Sequence, residues 1–139
     1  MQSFFKTDTA EVYYDDKVDT LFLKYLSKVR NTEEFIHINS ELLKAFKKLD
    51  TQKFVADIRK MGIISVDSQQ WVVKTLIPGM FEHLKGKQLY HAQLIDVTEV
   101  MSKVSGSNIK SQASDDNTGF KVLQFSEEDQ LVGYLRSIP

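Results

Sequence analysis

The sequence predicts one α/β domain over residues 1–139, with a mixed and mostly parallel β-sheet, an N-terminal hairpin and four helices. Two short apolar strands separated by a polar turn come first, which favours an antiparallel hairpin. A long amphipathic helix follows, and apolar strand-like runs then alternate with helical periodicity. Such alternation is typical of parallel strands joined by right-handed crossovers.

The first half of the chain contains the clearest elements. Residues 1–9 are predicted as a loose lead-in, and the hairpin strands fall at 11–14 and 20–26. A helix over 31–49 begins with Asn31 as N-cap and Glu34 in the pattern of a capping box. Its apolar residues recur at steps of three and four, which places them on one face: Phe35, Ile38, Leu42, Phe46 and Leu49.

The second half continues the alternation. A strand at 53–58 precedes a helix at 68–84, in which Pro78 predicts a kink or break near 77–79 because proline removes a backbone donor. A strand at 89–97 comes next, and Thr98 is expected to cap a third helix. Residues 105–119 are polar, and their composition predicts the most mobile part of the chain. A strand at 120–125 and a helix from Ser126 complete the order.

Composition restricts the class of protein. The net charge of -1 gives no global attraction to nucleic acid or to an anionic membrane. The absence of cysteine excludes disulfides and thiolate chemistry, and it fits a reducing compartment. The first residues lack the apolar core of a signal peptide, and no apolar run approaches the length of a membrane span. We therefore expect a cytoplasmic protein that binds no nucleic acid.

The stretch from Phe54 to Trp71 is the predicted location of a site. Asp57 ends a central strand that leads into a helix start, where open α/β sheets usually bind ligands. Asp57 and Arg59 are two apart, so they share one side of the strand and can form a polar pair. This pair either holds the following loop or belongs to a partner or ligand site at that edge.

Two serines lie near the start of the second helix. Ser65 and Ser68 either only cap this helix or also accept a phosphate, which the helix N-terminus would stabilise. Arg59 and Lys60 are the cations predicted to pair with such a phosphate. Both alternatives stay open on the sequence alone.

Apolar residues in and after the loop supply two further candidates. Met61, Ile63 and Ile64 either form a partner patch or fold back onto the core. Trp71, Met80 and Phe81 are candidates to line a ligand pocket beneath the predicted Pro78 kink.

No catalytic constellation is evident. His37, His83 and His91 do not occur at metal-ligand spacing, and neither a glycine-rich phosphate loop nor a GxSxG elbow occurs. We therefore predict no enzyme activity, no metal site and no cofactor.

The order of elements and several segments resemble the SpoIIAA-like branch of the STAS superfamily. The similarity covers nearly the whole chain and is most specific in ADIRKMGIIS followed by QQW, with NTEEF, LFLKYL and FKVLQFSEEDQLVGYL in support. The resemblance implies a STAS-like regulatory domain, in which a serine at the start of the helix after the central strand is phosphorylated. Here Asp67–Ser68 is followed by two glutamines, whereas the related anti-anti-sigma factors have a DSSGL-like motif.

Two functions follow as hypotheses. The first is a non-enzymatic STAS-like interaction domain that presents residues 59–68 to a protein partner. The second is a carrier of a small apolar molecule or lipid, which lipid-transfer-like relatives in the superfamily suggest by analogy. A homodimer is left open.

Overall fold

The computed structural model describes residues 1–96 and 122–139. Six strands form one sheet in sequence order: β1 (Gln2–Lys6), β2 (Ala10–Asp15), β3 (Thr20–Tyr25), β4 (Lys53–Asp57), β5 (Tyr90–Leu94) and β6 (Val122–Phe125). The first three strands are antiparallel and β3 to β6 are parallel. The predicted mixed α/β sheet with its N-terminal hairpin is therefore confirmed.

The lead-in prediction for residues 1–9 is wrong, because β1 pairs with β2 at the edge of the sheet. Its register shifts between Ser3 and Phe5, and the ring of Phe5 lies 5.5 Å from that of His37 in an edge-on contact. An edge strand that contains a bulge shows little of the regular apolar–polar alternation by which strands are recognised in a sequence. Its backbone bonds to β2 supply the stabilisation that the sequence pattern does not reveal.

Helix α1 (Thr32–Lys47) follows its prediction closely. The Asn31 side chain accepts a hydrogen bond from the backbone N–H of Glu34 at 2.8 Å. The Glu34 carboxylate accepts from the backbone N–H of Arg30, at 2.8 Å, so the reciprocal half of the capping box falls one residue earlier. The predicted apolar face is buried against the sheet, apart from Leu49, which is partly buried.

A continuous helical stretch over 66–84 follows β4. It comprises α2 (Val66–Trp71), a π-helical turn (Val72–Leu76) and α3 (Ile77–Leu84). The backbone N–H of Ile77 donates to the carbonyl of Val72, which is the five-residue spacing of a π-turn. The irregularity that Pro78 predicts thus lies on its N-terminal side, and the helix continues through the proline instead of breaking at 77–79.

The last described helix is α4 (Glu128–Ser137), so the described residues contain three helical stretches. The predicted helix from Thr98 and the polar segment 105–119 lie outside the described residues. None of the described helices is both long and apolar enough to cross a membrane.

The two faces of the sheet have different cores. On one face α1 and the 66–84 stretch cover a large cluster that includes Leu23, Phe54 and Met80. On the other face α4 covers a smaller cluster built around Val55, Leu94 and Leu131. The Lys53 ammonium group is buried at the end of α4, where it donates to the carbonyl of Leu135 at 3.1 Å.

Candidate functional site

The candidate site lies at the carboxyl ends of β3, β4 and β5, where β4 leads into the helical stretch. Lys24, Asp57 and Leu94 are register partners at this edge of the sheet. The backbone N–H of Ile58 donates to the carbonyl of Leu94 at 3.0 Å, which extends the pairing one residue beyond β4. The chain then turns through residues 59–65, which we call the 59–65 loop.

Asp57 and Arg59 form the polar pair that their spacing predicts. The Arg59 guanidinium donates to both carboxylate oxygens of Asp57, from Nε at 3.0 Å and from Nη2 at 2.7 Å. The same Nη2 donates to the carboxylate of Glu128 at 2.9 Å, which ties β4 to the first turn of α4. The two carboxylates raise the pKa of Arg59, with the Asp57 hydrogen bond as the largest cause.

These hydrogen bonds define the surroundings of the Arg59 side chain. Its guanidinium donates to Asp57 at the end of β4 and to Glu128 in the first turn of α4. Lys60 is exposed beside it. The pair itself is therefore confirmed, and its part in a partner or ligand site stays a prediction.

Replacing Asp57 with asparagine is expected to lower the free energy of unfolding by about 2 kcal/mol, since it leaves Arg59 without its main carboxylate. The value lies below that of a fully buried pair because Arg59 is partly exposed and keeps Glu128. Urea denaturation followed by circular dichroism measures the loss. The matched control is Glu128→Gln, which removes an exposed carboxylate and should cost less than about 1 kcal/mol. Equal losses for the two variants would contradict this ranking.

The 59–65 loop is fixed by its apolar residues. Met61 is 2% exposed and Ile64 is 4% exposed, so both fold back onto the core. The carbonyl of Met61 accepts from the backbone N–H of Val29 at 3.1 Å, and Gly62 adopts a positive φ of 77°. Of the two alternatives for Met61 and Ile64, core packing is confirmed, because their burial leaves no surface for a partner.

Two other apolar side chains are exposed to solvent, one in the loop and one at the first residue of α2. Ile63 is 58% exposed and Val66 is 63% exposed, and Ser65 lies between them in the chain. We call these two side chains the Ile63–Val66 patch. The sequence marked Ile63 only as one of three apolar loop residues and did not single out Val66. Alternation cannot tell which residue of an irregular loop points inward, because no regular period applies there.

Ser65, not Asp67 or Ser68, caps the helical stretch. Its Oγ accepts from the backbone N–H of Ser68 at 3.0 Å and lies 2.6 Å from Thr32 Oγ1. Capping by Ser65 is therefore confirmed, and phosphorylation of Ser65 stays a prediction. Ser65 is exposed, whereas Ser68 is only 1% exposed and its hydroxyl lies 2.9 Å from that of Ser65. Ser65 is thus the accessible hydroxyl of the two.

The residues named for a ligand pocket do not line the cavity that the described part of the chain forms beneath the helical stretch. Met80 is fully buried in the core, and Trp71 and Phe81 pack against that core from partly exposed positions. The cavity beneath this helical stretch is lined instead by Val72 and Leu76, together with polar side chains such as Tyr25 and Asn39. Its volume is about 30 Å³, far below the roughly 300–1,000 Å³ of small-molecule pockets.

Titratable groups in this region do not assemble into a metal site. Within residues 1–96 and 122–139, no three histidine or acidic side chains are arranged to hold a metal ion. His91 is buried and stacks on Phe54 with ring centroids 4.5 Å apart. Burial lowers the pKa of His91 to about 3, so its ring is neutral in the folded protein at neutral pH.

The geometry defines a mixed-sheet α/β domain with an exposed apolar pair beside a helix N-cap. Comparisons of the chain with protein-family models, with curated proteins and with solved structures found no match.

Proposed function

We propose that this protein is a non-enzymatic regulatory or interaction domain of STAS-like type, and that it binds a protein partner through the Ile63–Val66 patch and the first turn of the helical stretch. The observation that carries the proposal is the exposure of two large apolar side chains on an anchored loop. Exposed apolar side chains that lie together favour a binding surface. The resemblance of this segment to SpoIIAA-like domains supports the same place.

The loop suits a partner because it is already ordered. The buried side chains of Met61 and Ile64 anchor the loop to the core, and the side-chain amide of Gln69 donates to the carbonyl of Ile64 at 3.4 Å. A partner that binds a preorganised loop does not have to supply the ordering entropy. The loop therefore offers Ile63 and Val66 in nearly the same positions before and after binding.

Ser65 is the phosphate acceptor in this proposal. Ser65 is exposed and lies between Ile63 and Val66 in the chain, and its Oγ caps the helical stretch at the end where the helix dipole favours negative charge. A phosphate there would add close to two negative charges next to Val66 in the chain. Phosphorylation would then weaken an apolar interface and act as the off-switch for the partner.

The experiment is capture from a lysate of the native organism with the protein as bait, comparing the wild type with the double variant Ile63→Asp, Val66→Asp. The wild type is expected to retain a stoichiometric protein, and the double variant is expected to lose more than about tenfold of it, because charges replace both apolar contacts. Leu123→Asp is the matched control, since Leu123 is also exposed, at 40%, but lies on β6. Equal capture by all three proteins would refute the proposed surface.

A carrier function is the alternative that the sequence leaves open. The cavity of about 30 Å³ beneath the helical stretch does not favour it, because a lipid chain needs a much larger volume. We therefore propose the interaction domain alone. Extraction of the purified protein with organic solvent, followed by mass spectrometry, tests this choice, and a stoichiometric lipid in the extract would reverse it.

A further inference from the structure

A second cavity lies on the opposite face of the sheet from α1, between α4 and the open faces of β2 and β3. Its volume is about 210 Å³. The floor is apolar and comes from the smaller core cluster, with Val55 on β4, Leu94 on β5 and Leu131 on α4. Its lining includes Asp57 and Leu94 at the carboxyl ends of the parallel strands, which is where α/β sheets usually bind small molecules.

One wall of this cavity is aromatic. Tyr13 and Phe22 are register partners on β2 and β3, and their rings stack with centroids 5.1 Å apart and an interplanar angle of 9°. Both rings line the cavity and remain partly exposed. Aromatic rings carry negative charge density on their faces and attract cations placed against them.

The polar groups of the lining give the cavity a negative charge. Asp15, Asp57 and Glu128 contribute carboxylates, and Lys24 is the cationic member of the lining. Arg59 neutralises part of the charge of Asp57 and Glu128 from outside the cavity, as the ion pairs show.

The pKa of Tyr13 is also affected by the carboxylates near this cavity. Burial raises the pKa of Tyr13 to about 12, and negative charge on Asp57 and Asp15 adds to the effect. Burial disfavours a charge of either sign, so only the contribution of the carboxylates would favour a positive group at this position.

We propose that this cavity binds an organic cation: an amine carried on an apolar or aromatic body. A carboxylate of the lining would hold the ammonium group, with Asp15 at one end of the paired strands and Asp57 at the other, and the Tyr13–Phe22 wall with the apolar floor would hold the body. The volume is below the roughly 300 Å³ of pockets for drug-sized ligands, so the occupant has about ten non-hydrogen atoms. This site is on the other face of the sheet from the main core and is independent of the partner surface at Ile63 and Val66.

The test uses three probes of similar shape and different charge: phenethylamine, 2-phenylethanol and 3-phenylpropionate. Each is titrated to millimolar concentration into isotopically labelled protein, and amide chemical shifts are followed. Phenethylamine is expected to shift the amides of Tyr13, Phe22 and Leu131 most, with 2-phenylethanol weaker and 3-phenylpropionate weakest. Absence of amine-dependent shifts at these residues, or equal binding of 3-phenylpropionate, would overturn the proposal.

Three variants test whether the cavity prefers a positively charged ligand. Lys24→Gln removes a like charge and is expected to tighten phenethylamine binding about threefold. Asp15→Asn is expected to weaken it by a similar factor, and its side-chain oxygen can still accept the backbone N–H of Lys17 that Asp15 accepts at 3.0 Å. Phe22→Leu is expected to weaken it about fivefold, through the loss of one cation–π contact. Weaker binding by Lys24→Gln in a protein with unchanged amide dispersion would show that Lys24 binds the ligand, and would overturn the cation assignment.

Discussion

Replacing Ile64 with aspartate is expected to unfold the protein, whereas the same substitution at its neighbour Ile63 is expected to leave the free energy of unfolding within about 0.5 kcal/mol of the wild type. Ile64 is 4% exposed, and a carboxylate there would be buried without a partner, at a cost above about 4 kcal/mol. Ile63 is 58% exposed, so its aspartate would stay hydrated. Urea denaturation followed by circular dichroism measures both variants.

This pair of variants separates folding from binding at the proposed partner surface. Ile64→Val keeps the apolar character and is the control for the site itself, with an expected loss of about 1 kcal/mol. If Ile64→Asp and Ile63→Asp had the same denaturation midpoint, the inward direction of Ile64 would be incorrect. If Ile63→Asp is as stable as the wild type, unfolding caused by that substitution does not explain a loss of partner capture in the Ile63→Asp, Val66→Asp variant. The loss is then assigned to the changed surface.

The protein is expected to lose about 2 to 3 kcal/mol of stability between pH 6 and pH 4 through His91 alone. Burial lowers the pKa of this ring to about 3 in the folded protein, whereas an unfolded histidine titrates near 6.5. Between these two values the unfolded chain binds a proton that the folded protein does not. The stability that the neutral ring provides is therefore complete above about pH 6.5 and is lost as the pH falls towards 3.

Urea denaturation of the wild type and of His91→Leu at several pH values isolates this contribution. Carboxylates titrate equally in both proteins, so the difference between the two curves reports His91. A nuclear magnetic resonance titration of the His91 ring in the wild type is a second measurement, and it should show a neutral ring at pH 4.5. Parallel stability curves for the two proteins, or a ring that titrates near pH 6, would contradict the burial of a neutral histidine.

The sequence by itself determined the features that depend on local chemistry. Helix α1 follows from the spacing of Phe35, Ile38 and Leu42 and from the Asn31 cap, all of which act within a few residues of each other. The alternation of strands and helices along the chain follows from the same kind of local pattern. The Asp57–Arg59 pair was also predicted, because residues two apart in the chain are close enough to meet, although β4 ends at Asp57 and Arg59 lies in the loop.

Other features were decided only when distant segments packed together. The π-turn at 72–76, the strand β1 and the burial of Met61 and Ile64 all depend on neighbours that the local pattern does not specify. The second cavity is the clearest case, because Tyr13, Asp57 and Glu128 come from three separate parts of the chain. Their proximity follows from sheet register and from the docking of α4, and these are set by the free energy of the whole core. Periodicity and capping therefore predict the elements of this protein, and long-range packing decides which side chains reach solvent and which share a cavity.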